Sequence, residues 1–409
     1  MELFAELLVL LLATRALGEA AERLGQPASV GELSAGILLA IAAARFGHDL
    51  PFLERLATSE ALEYAANLGI FFLVLLAGVE LDPEEILDKS RGAFVVALGG
   101  MALPLLGGLA LAWVFLPESE LKQGQVLLVG VALSISAIPA TVKVFTDLGL
   151  LHARVGETVI SAAVFDDILG LFLLAVLLAV LQTGQVPDLA TLGLLLAKVA
   201  GFFVITVALG THVYPRVRRG LKLMQAAAME FSALVAVALA YGFLAELLNL
   251  HWILGAFMAG LYFAPSRVGP AAYTEMKAIL TALTSGILGP LFFTSIGLRV
   301  NLGTVTAVPL ILSLLIAVAF FGKVVGAGLP ALWAGLGRRE ALAVGVGMSA
   351  RGAVELVVIS IAYEAGLFAP SGAGDPLVAH LFSSLILMAV VTTLLTPIIL
   401  RRILPKTER

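Results

Sequence analysis

Long apolar runs, broken at intervals by Pro, Gly and short charged stretches, fill this chain almost from end to end. A helix needs roughly 20 apolar residues to cross the hydrocarbon of a bilayer, and runs of that length recur throughout. Bounding them at Pro, Gly and charges predicts thirteen membrane helices. They fall near 2–20, 27–46, 60–81, 92–116, 124–146, 154–181, 189–212, 227–247, 251–265, 279–299, 305–333, 341–366 and 378–400. The stretch at 251–265 is short and reads as a tilted or partial span. The first stretch, MELFAELLVLLLATRALGEAAERLG, carries Glu2 and Glu6 and lacks a basic leader and a small-residue cleavage site. It reads as a retained membrane helix rather than a secretory signal.

Composition narrows the class. Of 409 residues 60% are hydrophobic and 13% charged, with a mean hydropathy of +1.05, whereas soluble domains carry about 45–50% apolar and about 25% charged residues. The polar deficit leaves no room for a large soluble domain, so residues 1–409 are expected to form a single transmembrane domain without a regulatory module. The absence of cysteine excludes disulfides and thiolate metal sites.

Charge position supplies the orientation. Arg23, Lys89, Arg91, Lys143, Arg154, Arg216, Arg218, Arg219, Lys222, Arg267, Lys277, Arg338, Arg339, Arg401, Arg402, Lys406 and Arg409 fall on alternate connections. The other side holds Arg45, Arg55, Lys122 and Arg299. A bias of seventeen to four places the richer side in the cytoplasm. The C-terminus is then cytoplasmic and, with an odd number of spans, the N-terminus lies outside.

A few ionisable groups lie inside predicted spans, where each costs at least about 2.5–3.5 kcal/mol and is functional by default. Asp166 and Asp167, in SAAVFDDILGLFLLAV, stand twelve to thirteen residues into the sixth span, roughly 20 Å from its cytoplasmic end. Successive helical positions point about 100° apart, so one acid can line a cavity while the other meets a partner. Lys323, in AFFGKVVGAG, is the natural partner of one of them, and Gly322 and Gly326 beside it permit close helix approach. Arg351 and Glu355, in GMSARGAVELVVI, are spaced i, i+4 and can pair with each other. That pair reads equally as a brace for a helix break and as a direct participant. Lys198, in the seventh span, reads as a lysine whose stem reaches to the interface.

Two spans carry helix-breaking chemistry. SISAIPATVKVF in the fifth sets Pro139 among Ser134, Ser136 and Thr141, and VGVGMSARGAVEL in the twelfth holds Gly345, Gly347 and Gly352. Paired interruptions, one in each half of a chain, mark the discontinuous helices of secondary transporters, with a binding site at the bilayer midplane.

The chain resembles the monovalent cation:proton antiporter-2 family of bacterial sodium/proton exchangers and Kef-like systems. The stretches LGQPASVGELSAGILL, LGIFFLVLLAGVEL, FDDILGL, LGAFMAGL, LFFTSIGLRVNL, FFGKVVG and GMSARGAVELVV carry the likeness in order. The resemblance implies an all-α sodium/proton antiporter fold with inverted-topology repeats and two broken crossing helices. It implies a dimerisation part, a mobile core with elevator-like movement, and a homodimer in the inner cell membrane. By motif match Asp167 is the principal cation- and proton-binding carboxylate, with Asp166 its partner, paired to Lys323 when no cation is bound. Ser136, Pro139, Thr141, Arg351 and Glu355 support the breaks.

The expected activity is exchange of Na⁺, K⁺ or Li⁺ for protons, with both competing for the aspartates. The doubled aspartate resembles electrogenic exchangers, and the RGAVEL form resembles exchangers that take K⁺ or mixed cations. No enzymatic activity, cofactor or nucleic-acid partner is expected; the partners are the cations, protons and the lipid bilayer. Alternatives are a sodium-coupled organic solute symporter on a similar fold or a K⁺ efflux system. An intramembrane aspartyl protease would need its acids on two facing helices, whereas these are consecutive on one.

Overall fold

A computed structural model describes residues 2–46, 55, 59–80, 91–136, 141, 145, 150, 153–183, 189–212, 229–248, 250–263, 265–368 and 375–404. Every regular element among them is helical. In chain order these are α1 (Glu2–Arg23), α2 (Ala28–Phe46), α3 (Glu60–Glu80), α4 (Arg91–Phe115), α5 (Lys122–Ser134), α6 (Arg154–Thr183), α7 (Leu189–His212), α8 (Met229–Leu247) and α9 (Trp252–Leu261). Then come α10 (Pro265–Val268), α11 (Pro270–Leu283), a π turn (Thr284–Leu288), α12 (Gly289–Leu298), α13 (Thr304–Ala307), α14 (Pro309–Trp333), α15 (Arg338–Gly347), α16 (Ala353–Glu364) and α17 (Pro376–Ile403).

Among the described residues eight helices are long and apolar enough to span a membrane, and two shorter apolar helices join them, so the expected count of thirteen is not established. The predicted span at 279–299 is corrected most. Its helix begins at Pro270 and runs through the π turn to Leu298. The leading PAAYTEMKAIL is amphipathic, with Met276 and Leu280 buried, and its polar face hides it from an apolar-run criterion. The predicted span at 305–333 is also divided: Val308 leaves helical geometry (φ −134°, ψ 53°) and Pro309 restarts the helix as α14. Pro139 and several basic residues used for orientation, among them Lys89, Lys143, Arg216 and Lys406, lie outside the described residues.

The chain divides into two compact units. The first comprises Met1–Leu11, Ser59–Asp88 and Pro187–Phe293. Small residues let its helices touch backbone to backbone: a Cβ on Gly78 would lie 2.2 Å from the Phe257 carbonyl oxygen, and one on Gly260 2.3 Å from that of Leu75. Polar groups here are tied locally, with the Tyr241 hydroxyl donating to the Thr206 carbonyl at 3.2 Å.

The second unit comprises Leu12–Thr58, Lys89–Val186 and Thr294–Arg409, and it holds every predicted site residue. α14 lies along α4 on small residues, as the glycines beside Lys323 suggested. A Cβ on Gly326 would sit 2.4 Å from the Gly99 carbonyl oxygen, and one on Gly322 3.1 Å from Pro104 Cα. α2 crosses the end of α12 in the same way, with a Cβ on Gly36 2.2 Å from the Thr294 carbonyl oxygen. Such contacts hold helices in lipid, where apolar burial gives little driving force between them.

Candidate functional site

Both predicted breaks are present in the second unit. α5 ends at Ser134, and Ile135 turns extended (φ −75°, ψ 143°). α15 ends at Gly347 and α16 begins at Ala353, with Gly352 extended between them (φ −165°, ψ −153°). Gly345 and Gly347 serve packing rather than backbone freedom, since neither has a positive φ. A Cβ on Gly345 would fall 2.4 Å from the Val324 carbonyl oxygen, and one on Gly347 2.9 Å from Thr141 Cγ2.

Each helix end at a break leaves carbonyls without intrahelical donors and carries the negative end of the helix dipole. Each is satisfied from the other break. Arg351 Nη1 donates to the Ala132 carbonyl at 2.8 Å and to the Ile135 carbonyl, while Nη2 donates to the Leu133 carbonyl at 2.6 Å. A planar guanidinium suits three divergent acceptors as an ammonium does not. In return the Thr141 hydroxyl donates to the Gly347 carbonyl at the end of α15 at 2.6 Å, while the second break's own Ser349 Oγ adds a local bond to the Gly345 carbonyl at 2.9 Å. Thr393 on α17 fixes the Arg351 backbone, accepting from its N–H at 2.9 Å and donating to its carbonyl at 3.1 Å.

Arg351 does lie near Glu355, its Nε 3.7 Å from Oε2. That is beyond hydrogen-bond length. The i, i+4 spacing revealed the ion pair and missed the guanidinium's main partners, the carbonyls of α5.

The acid pair divides as the helical geometry requires. Asp166 is fully buried, whereas Asp167 is half-buried. Lys323 Nζ donates to Asp166 Oδ1 at 3.0 Å, both side chains being 0% exposed. The other oxygen, Oδ2, accepts the backbone N–H of Ser136 at 2.8 Å, so the fifth-span break reaches the carboxylate through its amide. The Ser136 hydroxyl is buried without a hydrogen-bond partner among the described residues. Asp166, Lys323, Arg351 and Glu355 thus form one electrostatically linked group of two carboxyl and two basic side chains. Asp167, the next residue of α6, is half-buried.

Sequence reasoning passed over a further pair. Glu32 in α2 approaches Arg15 of α1 at 3.4 Å, with side chains 5% and 53% exposed. The signal was present as an acid inside a predicted span, in VGELSAGILL. Gln125 was missed as well: it is fully buried and donates from Nε2 to the Leu367 carbonyl at 2.8 Å.

Two interrupted helices whose broken ends are held by each other's polar groups, around buried charges, are the build of a secondary transporter. The chain belongs to the sodium/hydrogen exchanger family, whose transmembrane model matches residues 7–406. It is 29% identical over 401 residues to the Na(+)/H(+)-K(+) antiporter GerN of Bacillus cereus, covering 98% of this chain and 96% of that one. It is 31% identical over 392 residues to the Cation/H(+) antiporter 20 of Arabidopsis thaliana, covering 91% of this chain and 45% of the plant protein. The chain therefore spans about half the length of that relative. Its fold matches the sodium proton antiporter MjNhaP1 from Methanocaldococcus jannaschii with a TM-score of 0.73, at 18% identity over 98% of this chain and 97% of the other.

Proposed function

We propose that Asp167 is the carrier carboxylate of this transporter and Asp166 its tuning partner, held by Lys323 when no cation is bound. The protein is a multi-pass membrane cation/proton antiporter, as its family and full-length bacterial relatives indicate. The observation that carries the assignment within the pair is the occupancy of Asp166. Both its oxygens are engaged, one by an ammonium and one by an amide, and it is fully buried while Asp167 is half-buried. A cation arriving at Asp167 gains a second carboxylate only by displacing Lys323 from Asp166. The Ser136 hydroxyl offers a further uncommitted oxygen. A proton on Asp167 removes the charge that holds the cation, so the two compete for one site, and only a charge-compensated core crosses the barrier.

The cargo is Na⁺, K⁺ or Li⁺ against protons. The name of the Bacillus cereus relative joins Na⁺, H⁺ and K⁺, which agrees with the mixed preference suggested by the RGAVEL form. Exchange is electrogenic, on the resemblance of the doubled aspartate. The two compact units serve one exchanger domain, in which the unit carrying the breaks is the mobile core. The transporter works as a homodimer in the inner cell membrane with its C-terminus in the cytoplasm.

The test is a dye-reported pH gradient in everted vesicles, challenged with Na⁺, Li⁺ and K⁺ across pH. Asp167→Asn abolishes dequenching by every cation while Asp166→Asn alters voltage dependence. Exchange retained by Asp167→Asn would sink the assignment.

A further inference from the structure

The Glu355 carboxylate is 1% exposed, yet neither oxygen accepts a hydrogen bond among the described residues. Its neighbour Arg351 has both terminal nitrogens committed to the α5 carbonyls and offers only Nε at 3.7 Å. Glu355 lies in the first turn of α16, whose dipole favours an anion there. A buried carboxylate without hydrogen bonds nevertheless retains unused capacity for a cation.

Lys323 lies on the turn of α14 that meets the same break, where the Ser349 hydroxyl reaches the Phe320 carbonyl at 3.5 Å and a Cβ on Gly345 would fall 2.4 Å from the Val324 carbonyl oxygen, and its charge acts on Glu355. Its ammonium has three donors, of which one meets Asp166. Because it is fully buried, it cannot be left unpaired when a transported ion takes the Asp166 oxygens. We propose that Glu355 is the second counter-ion of Lys323, a positioning residue that receives the ammonium when the cation displaces it from Asp166. This rests on the reading that cation and lysine compete at Asp166.

The charges then balance without a proton leaving the lysine. Before binding, Lys323 is matched by Asp166; afterwards the cation is matched by the aspartates and Lys323 by Glu355, while Arg351 remains matched by the α5 carbonyl end. Among the described residues Lys323 and Arg351 are the charged groups that act on Glu355, and Asp166 of α6 acts on both of them. α5 and α17, which pack on α16, bring carbonyls and Thr393 to this region. Their described charged and titratable residues, Lys122, His380, Arg401 and Arg402, lie towards the helix ends.

The experiment measures cation KM in proteoliposomes across pH, with Na⁺ and K⁺ as probes. It compares wild type, Glu355→Gln, Glu355→Asp, Lys323→Gln and the Glu355→Gln/Lys323→Gln double variant. Glu355→Gln raises KM at neutral pH by on the order of tenfold, the scale on which directly coupled residues depart from additivity. The defect shrinks at alkaline pH, where the displaced lysine can shed its proton, and Glu355→Asp recovers part of it. With Lys323 already removed, Glu355→Gln changes KM no further. An unchanged KM in Glu355→Gln, or an equal rise with and without Lys323, overturns the proposal. Should Glu355→Gln not fold, Glu355→Asp carries the comparison: its KM rises only where Lys323 is present, and a rise in both backgrounds overturns it. If Lys323→Gln alone leaves KM unaltered, the competition at Asp166 fails and this inference falls with it.

Discussion

Replacing Arg351 by Met keeps much of the side-chain volume and removes the guanidinium that joins the two breaks. Three buried carbonyls, those of Ala132, Leu133 and Ile135, then lose their donors. An unsatisfied buried acceptor costs about 1–3 kcal/mol. Glu355, 3.7 Å from Nε, loses its nearest cation as well, and removing one partner of a buried pair costs about 3–5 kcal/mol. The two effects overlap, because a protonated Glu355 or a water can relieve part of the loss. The expected destabilisation is therefore at least about 3 kcal/mol, the lower end of the buried-pair range. Arg351→Lys keeps the charge and recovers only part, since an ammonium cannot span three divergent carbonyls. The assay is the fraction remaining monodisperse on size-exclusion after heating in detergent. The order wild type, Arg351→Lys, Arg351→Met is expected. Equal heat resistance of Arg351→Met and wild type would refute the role of Arg351 as the tie between the breaks.

Other consequences can be read with the same assay. Thr141→Val keeps the shape but strips the donor from the Gly347 carbonyl, so it lowers stability by about 1–3 kcal/mol; an unshifted heating curve would contradict the cross-tie. Gly36→Ala forces a Cβ to 2.2 Å from the Thr294 carbonyl oxygen and costs about 1–3 kcal/mol through overpacking. Gly193→Ala in α7 meets nothing within 4 Å and stabilises by about 0.5–1 kcal/mol through helix propensity, so the two glycine variants should move in opposite directions.

Much of this architecture could be read from the chain because lipid imposes a simple rule on it. Apolar runs ending at charges foretold α2, α3, α4, α6, α7 and α8, and misplaced charges marked Asp166, Lys323, Arg351 and Glu355. Helix-breaking residues in two spans foretold the interruptions after Ser134 and Gly347. Long-range partners were harder to read. Arg351 lies over 200 residues from the carbonyls it binds, and the local i, i+4 rule drew attention to Glu355 instead. The amide of Ser136, which meets Asp166, has no sequence signature, since every residue but proline carries one. The π turn at Thr284–Leu288 left no pattern either. Glu32 was passed over, and its packing against α1 shows it to be buried.

In the proposed mechanism one carboxylate, Asp167, exchanges a proton for a cation. The most direct measurement is proton release when Na⁺, K⁺ or Li⁺ is added to purified transporter in weakly buffered detergent solution. The wild-type protein should release protons on addition of its transported cation, and Asp167→Asn, with the Asp166–Lys323 pair left in place, should release none. Equal release by the two proteins would rule out Asp167 as the site of exchange.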